Sequence, residues 1–411
     1  MKTAILSVGT ELLFGQITNT NTVYLSQQLN LLGFDVMYHY TVGDNPIRLK
    51  DMIELIFRDC DLIITTGGLG PTQDDLTKEI VCEAMEDVLV CHEGSLNDLK
   101  EYYKAMGRTM SHNNLKQAMM PKRAIVFDND AGTAPGFALE NKGKYIICMP
   151  GPPREMERIW NRRVKPYLEK MQDSVIFYKI LRTFEIGESS LETVLLPYID
   201  NQTDPTIATY AKEGECSLRI ASKRKTIDEA KEAVDDLIEK IKPVIGQYVY
   251  SYDNEDFVDV VTKKLLSKGI TISSAESCTG GLFAGRLTDV PGISEIFERS
   301  IVTYSNRAKI EELGVSPTTL EKYGAVSPET AKEMVQGLRK KTGSRLCVSV
   351  TGVAGPGGGT AEKPVGLMYI GCIFDGDITV KKIRMRNINR KWNRHYAVLS
   401  MLNIVNKIID K

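Results

Sequence analysis

Short apolar runs ending in glycine-bearing turns alternate with amphipathic stretches through the first part of the chain. This rhythm restricts the fold more than any other property of the sequence. Thr3-Ala4-Ile5-Leu6-Ser7-Val8 reads as a buried strand ending in Gly9, with Phe34 to Val42, Asp61 to Thr66 and Tyr145 to Met149 as further strands. Asn21 to Leu32 and Ile47 to Arg58 read as helices, the first stopped at Gly33, a residue suited to a left-handed helix end. Strands spaced by helices in this way build βαβ units, hence a parallel sheet covered on both faces. After the break at Pro150-Gly151-Pro152-Pro153, a helix is expected from Arg154 to Met171.

The character changes between Ser174 and Tyr250. Val175 to Phe184 and Ser217 to Lys223 read as strands and Ile227 to Ile241 as a charged amphipathic helix, together a small α+β module. From Phe257 the α/β rhythm resumes. Strands are expected at Ile270 to Ala275, Ile301 to Tyr304 and Arg345 to Val350, with a hairpin of Met368 to Phe374 and Ile378 to Met385 turning at Asp375-Gly376-Asp377. Ser327 is placed to cap a helix, and the last helix is expected from Arg390 to Ile409. The fold class is therefore α/β: two αβα-type domains with mostly parallel sheets, residues 1–172 and 253–411, joined by a small α+β module at 173–252.

With 411 residues, each of these parts is long enough to bury a core of its own. The 52 basic and 53 acidic side chains leave a net charge of −1, so no global attraction to nucleic acid or anionic membrane is expected. Basic and aromatic residues do not interleave, which argues against direct nucleic-acid binding. No run approaches the ~20 apolar residues of a spanning helix. The eight cysteines lack clustering or CxxC spacing, which fits reduced thiols and a cytoplasmic location. Four histidines leave little material for a histidine metal centre.

Three loops of the first domain fall at the carboxyl ends of the expected strands, the edge where open α/β sheets bind ligands. They are Gly9-Thr10-Glu11, Val42-Gly43-Asp44-Asn45, and Thr66 to Thr77 with Gly67, Gly68, Gly70, Thr72, Asp74 and Asp75. Glycines let backbone N–H groups approach an anion, and carboxylate oxygens beside phosphate are the usual ligands of Mg²⁺ or a similar ion. The plainer alternative is a turn whose aspartates cap a helix. Lys78 reads as a solvated surface group rather than a phosphate contact.

In the last domain, Ala275-Glu276-Ser277-Cys278-Thr279-Gly280-Gly281 joins a strand to a helix through a sharp turn. That places Ser277 at the sheet's carboxyl edge with backbone N–H groups around Thr279 and Gly280, as a nucleophile with an oxyanion hole requires. Plain helix capping is the competing role. A second strand-to-helix motif, Thr303-Tyr304-Ser305-Asn306-Arg307-Ala308-Lys309, can point Tyr304 and Lys309 into the same cleft. A desolvated lysine can serve as the serine's base. Cys278 beside the serine is either a rival nucleophile, a thiol being intrinsically more reactive than a hydroxyl, or a small buried residue, the usual place of a free cysteine.

These motifs carry a resemblance. Gly9-Thr10-Glu11-Leu12-Leu13, the Gly67 to Thr77 loop, Gly132-Thr133-Ala134-Pro135-Gly136 and Pro150 to Met156 resemble the CinA (competence/damage-inducible) family, whose first domain is similar to molybdopterin-binding MoaB/MogA domains. The C-terminal motifs, with Gly324 to Ser327 and Thr351 to Pro356, resemble the family's nicotinamide-nucleotide amidase domain. The resemblance implies two hydrolytic activities. One is cleavage of ADP-ribose to AMP and ribose 5-phosphate, dependent on a divalent metal (Mg²⁺, Mn²⁺ or Co²⁺). The other is cofactor-free deamidation of nicotinamide mononucleotide to nicotinate mononucleotide.

For the first activity, Asp44 and Asp75, with Asp74 beside them, are the expected metal ligands. Glu11 would orient or deprotonate the water, and Thr10 would bond a phosphate. For the second, Ser277 would be the nucleophile, Lys309 the base and Tyr304 a relay or orienter. The loop carrying Thr351, Gly352 and Gly355 would hold the phosphate or ribose, and Arg394 is either a further phosphate contact or a solvated helical arginine.

The resemblance also implies a homodimer, while the size and strand–helix pattern of the middle module suggest a KH-like fold. That module lacks the Gly-x-x-Gly loop that grips nucleic acid, so a spacer or dimerisation role is expected. Glu213-Gly214-Glu215 is either a reach toward a neighbouring site or a surface turn. The alternative for the whole chain is a competence-associated binding protein whose first domain holds a pterin or nucleotide without chemistry.

Overall fold

The computed structural model describes residues 1–172, 174–386 and 388–410. The boundary expected at 172/173 falls on Asp173, outside the described residues. The chain forms two compact units, Met1–Phe177 with Ser222–Ala233, and Tyr178–Ala221 with Val234–Lys411.

Seventeen strands are described: β1 (Lys2–Val8), β2 (Asp35–Val42), β3 (Leu62–Thr66), β4 (Leu89–Cys91), β5 (Met119–Pro121), β6 (Ile125–Phe127), β7 (Gly136–Asn141), β8 (Lys144–Met149), β9 (Val175–Thr183), β10 (Thr206–Lys212), β11 (Glu215–Arg224), β12 (Val249–Ser251), β13 (Ile272–Glu276), β14 (Phe297–Val302), β15 (Leu346–Gly352), β16 (Leu367–Phe374) and β17 (Asp377–Arg384). The first sheet has the order β2-β1-β3-β8-β7-β6. The four strands from the β2 edge to β8 are parallel, and β7 and β6 extend the sheet antiparallel. Strands β1 and β3 are almost wholly buried, as a sheet covered on both faces requires. One apolar cluster lies on each side, the first around Leu6, Ile53, Ile63 and Phe137, the second around Ile5, Leu25, Ile64 and Trp160.

The expected helix from Arg154 to Met171 is interrupted. Pro153–Ile159 is α-helical, Trp160–Val164 forms a wide π turn, and Lys165–Glu169 resumes the helix. Pro166 lies just beyond the wide turn and has no N–H to donate back to it, a common cause of such a break.

The middle module contributes a four-stranded sheet, β10-β11-β9-β12. Within the second unit its core continues into the C-terminal half: Tyr250 stacks on Phe257 with ring centroids 4.0 Å apart, and Phe184 packs on Phe257 and Tyr396. Glu213-Gly214-Glu215 lies at the β10–β11 turn. The Glu213 carbonyl stands 3.2 Å from His395 Nε2, and a Cβ on Gly214 would sit 3.0 Å from the Tyr396 ring.

The C-terminal sheet runs β14-β13-β15-β16-β17. The first three strands are parallel, and the β16–β17 hairpin is added antiparallel. That hairpin turns through Asp375 and Gly376, both at positive φ, the combination that matches strand twist in a two-residue loop. Strand β14 ends at Val302 rather than Tyr304: the Thr303 N–H on the Glu276 carbonyl is its last bond to β13, and Ser305 then caps the next helix by accepting from the Ala308 N–H. No described helix is long and apolar enough to cross a membrane.

Candidate functional site

Strand β13 is fully buried and ends in Glu276, itself 0% exposed. The Glu276 carboxylate accepts from the amides of Gly281 (3.0 Å), Phe283 (3.1 Å) and Ala284 (2.9 Å), the first N–H groups of the helix Leu282–Thr288. An anion at a helix start satisfies orphan donors and the dipole together. It fixes the elbow between strand and helix, which Gly280 (φ 60°) and Gly281 (φ 92°) turn through the left-handed region.

Ser277 stands on this elbow, buried, with its N–H on the Val350 carbonyl. The Gly280 N–H bonds the Ser277 carbonyl and is therefore not the oxyanion donor expected from the sequence. The N–H groups of Cys278 and Thr279, which follow the serine, bond no carbonyl of the described residues. The Thr279 hydroxyl is likewise buried without a partner.

Lys309, in the helix Asn306–Leu313, is 1% exposed. Its Nζ lies 3.0 Å from Ser277 Oγ, 2.7 Å from the Thr303 carbonyl and 3.4 Å from the Tyr304 carbonyl. Burial pulls its pKa below the ordinary lysine range, opposed only by nearby Cys278. No described carboxylate forms an ion pair with it. Its three acceptors, Ser277 Oγ and the two carbonyls, match the three N–H groups of an ammonium, and loss of one proton, which burial favours, leaves a lone pair to face the Oγ–H.

Tyr304 is placed differently from the expected relay. Its side chain is 61% exposed, its hydroxyl accepts from Arg390 at 2.7 Å, and Lys309 meets it through the backbone carbonyl. Arg390 begins the last helix, Arg390–Ile409, and also bonds the Gly355 carbonyl at 2.7 Å. It joins Tyr304 to the glycine-rich loop, a role the sequence offered no reason to prefer over Arg394. Arg394 bonds the Thr279 carbonyl while its Nε is buried without a partner, so it braces the nucleophile turn. Thr351 Oγ1 bonds the Ala325 carbonyl at 2.6 Å; Gly352 closes β15. Cys278 is buried against the Met368 sulfur, and burial pushes its thiol up to about 12. A thiol held protonated is a poor nucleophile.

In the first unit, a cavity of about 390 Å³ gathers Gly9, Glu11, Asp44, Gly67, Gly68, Gly70, Asp74 and Asp75. Gln117, Thr133 and Glu155 also line it, and of these Gln117 lies in no motif that the sequence singles out. Gly67 has φ 102°, and a Cβ there would lie 2.0 Å from the Val8 carbonyl, so only glycine lets the loop cross β1. The Thr10 amide and hydroxyl donate to Asp44 Oδ2 at 2.9 and 2.7 Å, which commits that hydroxyl to the aspartate rather than to a phosphate. Thr72 bonds both Asp74 and Asp75, and its hydroxyl holds the Asp74 carboxyl below the usual range.

Lys78 is not a surface group. It is 1% exposed, its Nζ donates to the Lys116 carbonyl at 2.5 Å, and burial lowers its pKa to about 8. The adjoining helix packs over it, and Lys116 in turn reaches the Thr72 and Asp75 carbonyls. The two lysines thus pin the aspartate loop.

The cavity carries five carboxylates, Glu11, Asp44, Asp74, Asp75 and Glu155, and no lysine or arginine lines it. A diphosphate would meet strong repulsion there without a cation. No described group of three or more His, Cys, Asp or Glu side chains is close enough to hold an ion alone. The donor set therefore fits a hard divalent ion only where substrate oxygens complete its shell, as is common for Mg²⁺.

Three family profiles match the chain: a probable molybdopterin binding domain over residues 4–170, the damage-inducible protein CinA KH domain over 178–251, and the CinA C-terminal domain over 254–409. A protein of Acetivibrio thermocellus named for competence-damage inducibility is 47% identical over 411 residues, spanning 100% of this chain and 99% of its own. A CinA-like protein of Dictyoglomus turgidum is 46% identical over 407 residues, covering 99% of each chain. Among solved structures, a competence/damage-inducible protein from Agrobacterium tumefaciens is 37% identical, covering 38% of this chain and 98% of its own, with a TM-score of 0.37.

Proposed function

The chain belongs to the CinA family, and from that premise we propose that its C-terminal domain is a serine–lysine amidase acting on nicotinamide mononucleotide. One observation carries the reading: a buried lysine without a counter-charge, its Nζ 3.0 Å from the hydroxyl of an elbow serine.

Neutral Lys309 accepts the Ser277 proton as Oγ attacks the carboxamide carbon. The developing oxyanion is met by the N–H groups of Cys278 and Thr279, the donors that bond no carbonyl. Lys309 returns the proton to the leaving nitrogen, and ammonia departs. A water then attacks the acyl ester with Lys309 again as base, releasing nicotinate mononucleotide and restoring Ser277. Arg390 and the 351–359 loop stand at the rim to receive the substrate's phosphate. Ammonia release from nicotinamide mononucleotide, measured for wild type and for Ser277→Ala, tests the proposal. A serine variant as active as wild type would overturn it.

The acidic cavity favours a second activity in the same chain, metal-dependent hydrolysis of ADP-ribose to AMP and ribose 5-phosphate. A divalent ion held by Asp44 and Asp75, with Asp74 alongside, would supply charge neutralisation for the diphosphate. The chain's own Glu11 orients and deprotonates the attacking water, and Thr10 keeps Asp44 in position. AMP formation from ADP-ribose with Mg²⁺, Mn²⁺ or Co²⁺, abolished in Asp44→Ala, is the expected result.

A further inference from the structure

Gly214 and Glu215, in the hairpin turn that neither proposed reaction uses, line a cavity of about 390 Å³ within the second unit. Its remaining walls come from the segment around Glu185 and Glu188, from Arg384 and Arg386, and from Trp392 and Tyr396 on the last helix. The volume falls among those of small-molecule sites, about 300–1,000 Å³. Ser277, Lys309, Tyr304 and Gly355 do not line it. At about 100° per residue, Trp392 and Tyr396 lie on a different face of the helix from Arg390 and Arg394, which bond the amidase loops.

The Trp392 and Tyr396 rings are nearly parallel, with centroids 5.0 Å apart and planes 19° apart. They give the cavity an aromatic ledge on which a planar ring can stack. The charges around the ledge select an anion. Of the lining carboxylates, Glu185 is paired with Lys407, and Glu215 is bonded by the Tyr250 hydroxyl and paired with Arg182. Glu188 is left against Lys212, Arg384 and Arg386, three exposed cations that form no ion pair among the described residues. Guanidinium groups without a partner hold phosphate through charge-assisted, often bidentate, hydrogen bonds.

We propose that this cavity is a nucleotide site separate from both reaction sites. It takes a purine nucleoside monophosphate, with the base on the Trp392–Tyr396 ledge and the phosphate on Arg384, Arg386 and Lys212. The two fused rings of the indole match a bicyclic base, and the volume suits a single nucleotide. Binding here requires neither hydrolytic activity.

The chain has two tryptophans, and Trp160 is wholly buried in the first unit, so a base can stack only on Trp392. AMP titrated into the full-length protein is expected to quench indole emission with half-saturation below about 1 mM. Adenosine, which lacks the phosphate, is expected to bind at least about tenfold more weakly, the worth of a charge-assisted contact. Arg384→Ala/Arg386→Ala is expected to weaken AMP by a similar factor. Both arginines are exposed, so the fold is expected to survive, and a thermal melt checks this. In Trp392→Phe, which keeps a ring but removes the reporter, the quenching should vanish. No quenching by millimolar AMP, equal affinities for AMP and adenosine, an unchanged affinity in the arginine variant, or quenching that persists in Trp392→Phe would each overturn the site.

Discussion

Replacing Lys309 by methionine keeps the side chain's length and apolar stem but removes the amine 3.0 Å from Ser277 Oγ. General-base assistance is worth about 10²–10⁴ in rate. Among the described residues no other titratable side chain bonds Ser277 Oγ, so no substitute base stands ready and the upper part of that range applies. A loss of about 10³–10⁴ in kcat corresponds to about 4–5.5 kcal/mol of barrier. Ammonia release from nicotinamide mononucleotide, coupled to glutamate dehydrogenase, resolves such a change easily. In wild type the rate should climb with pH as Lys309 deprotonates and level off below the ordinary lysine value of 10.5, because burial lowers its pKa. Stability supplies a second readout. Between the lowered pKa and 10.5 the unfolded chain binds more protons than the folded one, so wild type should gain stability on the variant as pH rises through that window. A Lys309→Met enzyme retaining a tenth of wild-type kcat, or a wild-type rate flat from pH 7 to beyond 10, would refute the reasoning.

Cys278→Ala should keep amidase activity within a few-fold, since the thiol is buried and held protonated; inactivation would transfer the nucleophile's role to sulfur. Glu276→Gln trades a carboxylate that accepts from three helix-start amides for a neutral amide. It is expected to cost about 1.5–3 kcal/mol in urea melts and to lower kcat by loosening the elbow. A chelator should suppress AMP release from ADP-ribose and leave ammonia release untouched; equal sensitivity of both would contradict two separate chemistries. Gly67→Ala puts a Cβ 2.0 Å from the Val8 carbonyl at φ 102°, and a melting temperature equal to wild type would contradict the described crossing of β1.

The strands and their carboxyl-edge loops were legible because periodicity and glycine turns are local signals. So was the Ser277–Lys309 pairing, since both motifs follow neighbouring parallel strands and enter helices. What escaped depends on non-local packing. Lys78 reads as solvated from its neighbours in sequence, yet the segment His112–Ala118 covers it and supplies its carbonyl acceptor. Gln117 reaches the acidic cavity from the His112–Ala118 segment, which has no strand-end signature. Gly280 looked like an oxyanion donor until the turn showed its N–H closing on Ser277's own carbonyl. Tyr304 faces outward because β14 stops two residues earlier than its apolar run suggests.

The amine of Lys309 is held by the main chain at 303 and 304, not by their side chains. Its placement is consequently decoupled from the identity of the residue at 304. That position at the mouth of the cleft is open to redesign for other carboxamides, and a library varying Tyr304 alone would explore selectivity without dismantling the proton acceptor.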